Sequence, residues 1–165
     1  MSIKNLFQQE SESVTEQPVK IPFDFTNRDS IPKGKDPGDC IVIKPITVRT
    51  WFRIRPLLLE IEKEDIDRMI VKKGELPEDF PQIMDKYGEL LLDIVCLGIH
   101  NKPSDPPKWF KQALADNSTW EDIRILFNAI IYRIGYHPFC TSITMLRNVS
   151  PLRETEIIAA RKNLQ

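Results

Sequence analysis

Apolar residues recur at every third or fourth position through most of the chain after residue 47, which is the spacing of one face of an α-helix. The first such stretch is VRTWFRIRPLLLEIEKEDIDRM, and it follows Thr47, a residue suited to cap a helix N-terminus. Pro56 lacks a backbone N–H, so we expect a kink there unless the helix begins later. The apolar stripe of this predicted helix consists of Trp51, Ile54, Leu58 and Ile61.

Two further helices are predicted in the middle of the chain. Asp79 and Pro81 mark the start of one that continues to about residue 100. Its apolar stripe is broad and consists of Ile83, Tyr87, Leu90, Leu91, Ile94, Val95 and Leu97. The loop NKPSDPP follows, and the second of its adjacent prolines can open a short helix at KWFKQAL.

The helix predicted at residues 119–134 is apolar around most of its circumference. Ser118 and Glu121 form a capping-box pattern at its start, and Gly135 is placed to end it. One stripe consists of Trp120, Ile123, Phe127, Ile130 and Ile134. The remaining surface also carries Ile125, Ala129, Ile131 and Tyr132. Such a helix is either central in the core or shared with a partner chain.

The ends of the chain have a different character. Residues 1–19 are mostly polar and predict a flexible arm. KIPFDF and DCIVIKPI, separated by turn-forming residues, predict a β-hairpin at 20–46, and residues 147–165 predict a C-terminal tail or helix. The sequence therefore predicts a mainly α, compact helical domain at 20–146 with a small N-terminal β-hairpin and flexible tails.

Composition limits the classes of function. The chain has 165 residues, of which 41% are hydrophobic, and 23 basic against 24 acidic residues give a net charge of -1. This balance provides no field that would attract nucleic acid. No apolar run approaches the roughly 18 residues of a membrane span, and the N-terminus lacks a signal-peptide core. We therefore expect a soluble intracellular protein, with neither nucleic acid nor membrane as a partner.

Both histidines and two of the three cysteines fall in two short stretches, KYGELLLDIVCLGIH and YHPFCTS. On an ideal helix, Asp93, Cys96 and His100 point within about 60° of each other. A zinc site completed by His137 and Cys140, or a cysteine–histidine nucleophilic pair, is therefore a hypothesis to weigh. Either would make the protein a zinc-dependent or thiol-dependent enzyme.

The ligand spacing favours structural roles for these side chains. Compact zinc sites usually contain a tight Cys-x₂₋₄-Cys unit, which this sequence lacks, and nothing indicates an oxyanion hole. Cys96 suits a semi-buried position, His100 suits the negative end of a helix dipole, and His137 with Pro138 suits a turn after Gly135. The three cysteines are scattered and are expected to be reduced. We predict no catalytic residue, no metal and no cofactor.

The segment VRTWFRIRP interleaves arginines with Trp51 and Phe52, a combination found on some nucleic-acid surfaces. Three arginines on a nearly neutral protein provide too little positive charge to indicate binding of a polyanion. A rim of charge around core-facing rings explains the pattern better. No glycine-rich phosphate loop is present in the sequence either.

The passage IVIKPITVRTWFRIRPLLLEIEKEDI joins a short strand to an amphipathic helix through a K-P-I-T-V step. It resembles the opening of tail assembly chaperones of long-tailed bacteriophages. The later order of an acidic-capped helix, a loop, WEDIRILFNAIIYRIGYHPF and a basic polar tail is also similar to that family. The resemblance covers residues 39–150, and the arm of about 38 residues before it is longer than is usual there.

The resemblance implies a small, mostly helical protein without an active site, which coats the tape measure protein before the tail tube polymerises. The expected partner is the tape measure protein or another helical phage tail protein, with a homo-oligomer as a further expectation, in the cytoplasm of the bacterial host cell. A phage connector or tail-completion subunit is the alternative. The residues predicted to bind the partner are Ile125, Ala129, Tyr132, Trp51 and Arg53.

Overall fold

The computed structural model describes residues 17–69 and 78–149, so most of the predicted arm and of the predicted C-terminal tail lies outside it. The described chain is mainly α-helical, with one two-stranded antiparallel hairpin near its start, and this confirms the predicted fold class. The chain divides between Ile134 and Gly135 into two compact units.

The hairpin pairs β1 (Val19–Pro22) with β2 (Cys40–Ile43). The register sets Val19 opposite Ile43 and Pro22 opposite Cys40. Ile41 and Ile43, on one face of β2, are buried. Both strands are shorter than predicted. One more cross-strand bond forms beyond the Pro22–Cys40 pair, from the Phe23 amide to the Asp39 carbonyl at 3.0 Å, and Phe23 and Phe25 are buried in the core. Their rings pack against each other at 4.7 Å.

The helix predicted to follow Thr47 is in fact two helices. Thr47 caps α1 (Val48–Leu59) as predicted, and its side chain accepts a hydrogen bond from the Thr50 amide. Pro56 lies inside α1, which ends one turn later in 3₁₀-type bonds from the amides of Glu60 and Ile61 to the carbonyls three residues earlier. A separate helix, α2 (Lys63–Met69), then begins.

The next two helices follow the predicted pattern closely. α3 (Phe80–His100) starts after Asp79 with a proline in its first turn, and it ends at Asn101, whose backbone is left-handed. α4 (Lys108–Asn117) starts after Pro107 and is about one turn longer than the predicted KWFKQAL. Asn117 explains the extension, since its side chain donates to the Ala113 carbonyl and also bonds the backbone of Asn27 in the loop after β1.

The capping box of α5 (Trp120–Tyr132) is displaced by one residue from the predicted pair. Thr119 and Asp122 form the box, with reciprocal bonds between side chains and backbone amides, so the assignment to Ser118 and Glu121 was wrong. Both pairs have the spacing that a capping box needs. Glu121 instead pairs with Arg124 on the helix surface.

The core of the first unit is arranged around α3, which contacts β2, α1, α4 and α5. The closest approach is at Gly98, where an added Cβ would lie 2.6 Å from the Ile130 side chain on α5. Only a glycine therefore permits this helix pair to pack so tightly. The fully buried side chains include Phe25, Ile43, Ile54, Ile94, Leu114, Leu126 and Ile130.

The second unit contains α6 (Tyr136–Val149). Gly135 precedes it in a left-handed conformation, with φ 78°. His137 and Pro138 belong to the first turn of α6, so their prediction as a turn was wrong. A proline is tolerated there because the first amides of a helix have no intrahelical acceptor.

Candidate functional site

Cys96 is buried in the core, with 2% of its surface exposed, rather than semi-buried as predicted. Burial, reinforced by nearby Asp93, raises the pKa of its thiol to about 12. The thiol therefore stays protonated at neutral pH, whereas a nucleophile or zinc ligand needs the thiolate. Asp93 forms an ion pair with Lys111 at 2.7 Å.

His100 is the last residue of α3, as predicted, and its Nε2 lies 3.0 Å from the Ser104 hydroxyl. Its pKa is lowered, first by burial and then by the charges of Lys102 and Arg53. A favourable interaction of an imidazolium with the helix dipole would have raised it, so the expected dipole role is not the dominant one.

In the second unit His137 is exposed and Cys140 is half-buried. A side-chain hydrogen bond between Cys140 and Tyr136 raises the pKa of the tyrosine. Across residues 17–69 and 78–149, no three histidine, cysteine or carboxylate side chains form a group that could hold a metal ion.

An apolar groove lies over the N-terminal half of α3, between α2 and the start of α5. It has a volume of about 250 Å³. We call it the methionine groove, and its lining residues are Ile61, Met69, Ile83, Met84, Tyr87, Gly88, Leu90, Leu91, Ile94, Trp120 and Phe127. None of these carries a formal charge at neutral pH.

The groove is open because the core covers only the C-terminal half of α3. Residues 94–96 and Gly98 are buried, whereas residues 80–91 are half-buried or exposed. Met84 is 42% exposed and Trp120 is 48% exposed. Trp120 was predicted to share a stripe with Ile123 and Ile130, but it lies at the groove while those two are buried. Its indole approaches α3 at Gly88, where an added Cβ would lie 3.2 Å from Cη2.

A polar network holds α2 against α3 at the border of the groove. Asp65 accepts hydrogen bonds from Lys86 Nζ at 2.7 Å and from the Tyr87 hydroxyl at 2.6 Å. Lys86 also pairs with Glu62, at 2.8 Å. Asp65 is buried, and these two donors hold its carboxyl pKa below the usual value. Tyr87 belongs both to the network and to the groove wall, so the network fixes the shape of the wall.

The predicted partner surface on α5 is accessible. Ile125, Ile131 and Tyr132 are exposed, and Ala129 is half-buried. Ile123, Leu126 and Ile130 on the other face are buried. One face of the helix therefore packs in the core, and the other face leaves large apolar side chains exposed.

Trp51 and Arg53 have internal roles in the described structure. Trp51 is half-buried against the core. The Arg53 guanidinium donates to the carbonyls of Lys102 and Ser104, and it forms an ion pair with Asp105. Arg53 thus organises the loop after α3, and it lines a second cavity of about 670 Å³ beside α4 rather than the methionine groove.

The sequence pattern missed three groove residues, Met69, Met84 and Gly88. A signal was present, because Met84, Gly88 and Leu91 follow one another at intervals of four and three residues, beside the predicted stripe that contains Ile83 and Tyr87. That signal indicates a wide apolar face without indicating which part of it stays uncovered.

No helix in the described part of the chain is both long enough and apolar enough to cross a lipid bilayer. No known protein family, no curated protein sequence and no solved structure matches this chain.

Proposed function

We propose that this chain is a non-enzymatic tail assembly chaperone of the long-tailed phage type, which holds an α-helical segment of the tape measure protein while the tail is assembled. The observation that carries the proposal is the methionine groove, an uncharged apolar surface supported by packed helices. The exposed face of α5, with Ile125 and Tyr132, is a second apolar surface that the proposal assigns to the partner.

A helix is the partner that such a groove suits best. An amphipathic helix places apolar residues at i, i+3 or i+4, and i+7, and such a row can lie along a groove between helices. Methionine side chains adapt to irregular surfaces, so Met69 and Met84 suit a partner whose successive segments differ in sequence. The uncharged lining favours a partner face without charged residues, because an unpaired charge would be costly to bury there.

The energetics suit a chaperone, which must release its partner when the tube polymerises. Burial contributes about 25 cal/mol per Å² of apolar surface, so a groove of this size supplies several kcal/mol before the cost of association. That range gives reversible binding. The resemblance over residues 39–150 supports the same proposal, and the location that goes with it is the cytoplasm of the infected bacterium.

Co-purification with the tape measure protein tests the proposal. Met84→Glu sets a charge in the groove, and we expect it to weaken binding at least about tenfold, because the carboxylate must lose its hydration. Met84 is already partly exposed, so the variant should fold normally. The matched control is Gln82→Glu, which adds the same charge at an exposed position of α3 outside the groove.

Equal binding by the two variants would remove the groove from the proposal. Failure of the wild-type chain to bind any segment of the tape measure protein would reject the chaperone function. Recovery of the chain in stoichiometric amounts from finished tails would instead support the connector or tail-completion alternative, because a chaperone leaves before the tail is complete.

A further inference from the structure

Two of the four methionines of the chain, Met69 and Met84, line the methionine groove. They come from two different helices, since Met69 lies at the end of α2 and Met84 lies in the first half of α3. Both side chains are open to solvent, with 38% and 42% of their surface exposed. Oxidants dissolved in water can therefore reach both residues before a partner covers the groove.

We propose that Met69 and Met84 are sites of reversible oxidation, and that their sulfoxides close the methionine groove to an apolar partner. The identity of that partner rests on the proposed function. The oxidant is hydrogen peroxide: a sulfur lone pair attacks one peroxide oxygen, an S–O bond forms, the O–O bond breaks, and the second oxygen leaves as water with both protons. The sulfur loses two electrons and the peroxide gains them. A methionine sulfoxide reductase reverses the step, because two thiols become a disulfide as the sulfoxide oxygen leaves as water.

The groove has too few hydrogen-bond donors for two buried sulfoxides. Its lining residues carry two side-chain donors, the Tyr87 hydroxyl and the Trp120 indole N–H. The Tyr87 hydroxyl is already engaged, because it donates to Asp65 at 2.6 Å and accepts from the Glu62 amide at 3.2 Å. One indole N–H cannot satisfy two sulfoxide oxygens. A partner that covers the groove would therefore remove water from at least one of these oxygens without replacing its hydrogen bond, which weakens binding.

The fold itself should tolerate the oxidation. Neither methionine belongs to the buried core, and both are exposed in the uncovered groove, so water can satisfy the new sulfoxide oxygens. The oxidation therefore changes the affinity for a partner and leaves the free protein folded. A partner that covers the groove should in turn shield Met69 and Met84 from peroxide.

Met145 is a control within the same chain. It lies on α6 in the second unit, is 63% exposed, and does not line the groove. Because it is more exposed than Met69 and Met84, peroxide should oxidise it at least as readily. Its sulfoxide should nevertheless leave binding at the groove unchanged.

Binding of the tape measure protein before and after treatment with hydrogen peroxide tests the proposal. Each protein is compared with itself, as the ratio of the dissociation constants after and before treatment, so that any effect of a substitution on basal binding cancels. The ratio should reach at least about tenfold for the wild type and for Met145→Leu, and stay below about twofold when Met69→Leu and Met84→Leu are combined. Dithiothreitol added after the peroxide returns disulfides and sulfenic acids to thiols, and peptide mass spectrometry identifies the oxidised methionines.

The uncharged apolar dye Nile red gives a second measurement that does not need the tape measure protein. Oxidation should weaken binding of the dye at least about threefold in the wild type, and this loss should be absent from the protein with both Met69→Leu and Met84→Leu. If the dye responds in this way while the reduced wild type binds no segment of the tape measure protein, the proposed function fails and the oxidation site stands.

Three results would overturn the proposal: no loss of binding on oxidation by either measurement, equal losses in the wild type and in the doubly substituted protein, or unfolding of the oxidised wild type in circular dichroism, which would mean damage to the fold. Restoration of binding is the final check. Methionine sulfoxide reductases for both sulfoxide epimers should return the dissociation constant to its value before peroxide, and a constant that stays high after the sulfoxides are gone would also overturn the proposal.

Discussion

Asn101 joins the end of α3 to the start of α1 through both its backbone and its side chain. Its φ of 46° lies in the left-handed region, which asparagine adopts more readily than most residues. Its side-chain oxygen accepts a hydrogen bond from the Thr47 amide at 3.0 Å, and its side-chain nitrogen donates to the Pro45 carbonyl at 2.7 Å. One residue thus ends a helix and holds the strand-to-helix step in place.

Two substitutions at Asn101 separate these roles. Asn101→Gly keeps the backbone conformation and loses two hydrogen bonds, so it should lower the free energy of unfolding by about 1–2 kcal/mol. Asn101→Ala adds the strain of a left-handed alanine and should cost about 1 kcal/mol more. Urea unfolding measures both. Equal losses in the two variants would show that the left-handed backbone imposes no strain.

Gly98 and Gly88 both lie on α3 and face α5, yet they should respond differently to alanine. At Gly98 the three nearest atoms to an added Cβ all belong to the buried Ile130, at 2.6–2.8 Å, so Gly98→Ala should cost about 1–3 kcal/mol through overpacking. At Gly88 the neighbour is the half-exposed Trp120 ring at 3.2 Å. That ring can shift, and the better helix propensity of alanine offsets the strain.

A double-mutant cycle checks the cause at Gly98. Ile130→Ala is itself destabilising, but Gly98→Ala should cost less in that background, because the clashing side chain is gone. Additive losses in thermal unfolding would contradict a direct clash. A loss at Gly88 as large as that at Gly98 would mean that Trp120 is held more rigidly than its exposure indicates.

At the scale of elements, the local sequence pattern allows more than one boundary for a helix, and contacts outside that pattern decide between them. Two overlapping pairs in NSTWED have the spacing of a capping box, and Thr119 with Asp122 forms it, while Ser118 is the residue that ends α4. Similarly, one amphipathic stripe runs through α1 and α2, but α2 separates because Asp65 docks it onto α3. That docking depends on pH.

The hydrogen bonds from Lys86 and Tyr87 lower the pKa of Asp65 below its unfolded value of about 3.9. The stability that they contribute is therefore present above that pH, and it is lost as the pH falls through the lower, folded-state pKa. Wild type should lose stability below about pH 4 more steeply than Asp65→Asn, which cannot ionise. Urea unfolding at several acidic pH values measures the slopes.

Asp67→Asn is the control for this slope, since Asp67 is an exposed residue of the same helix. It should keep the steep acid dependence of the wild type. If Asp65→Asn and Asp67→Asn give the same profile, then the network is not the group that titrates, and other carboxylates of the chain govern its acid sensitivity.

At the scale of the whole molecule, α5 divides its side chains between a core and an open surface. Ile123 is 2% exposed and Ile125 is 41% exposed, although they are two residues apart. Ile123→Asp should unfold the protein, because it buries an unpaired charge, at a cost above about 4 kcal/mol. Ile125→Asp and Tyr132→Asp should change the free energy of unfolding by less than about 1 kcal/mol.

The same variants bear on partner binding. Ile125→Asp and Tyr132→Asp should leave a folded protein that binds the tape measure protein less well, which co-purification with the wild type as reference would measure. Thermal unfolding distinguishes loss of binding from loss of fold. Unfolding of Ile125→Asp would place that side chain in the core, and full binding by both variants would limit the partner surface to the methionine groove.

The sequence by itself determined the class of fold and most of its elements. Helical spacing, Thr47, Pro81 and Pro107 fix local backbone choices through interactions within one or two turns. The mainly α class, the hairpin and the order of helices up to Tyr132 were therefore predictable, apart from the break between α1 and α2. A proline is also compatible with the first turn of a helix. Pro138 shows that a proline soon after a glycine can mark the start of a helix as well as a loop.

Only the tertiary structure decided which apolar residues are covered. Ile83, Tyr87 and Leu91 have the periodicity of a core stripe, and so do Ile94 and Leu97, but α5 packs most closely on α3 where Gly98 admits Ile130. Trp120 likewise repeats with Ile123 and Ile130 and yet lies half outside. Periodicity records which face of a helix is apolar, whereas burial depends on where a second helix crosses it, and that crossing is a property of residues far apart in the sequence.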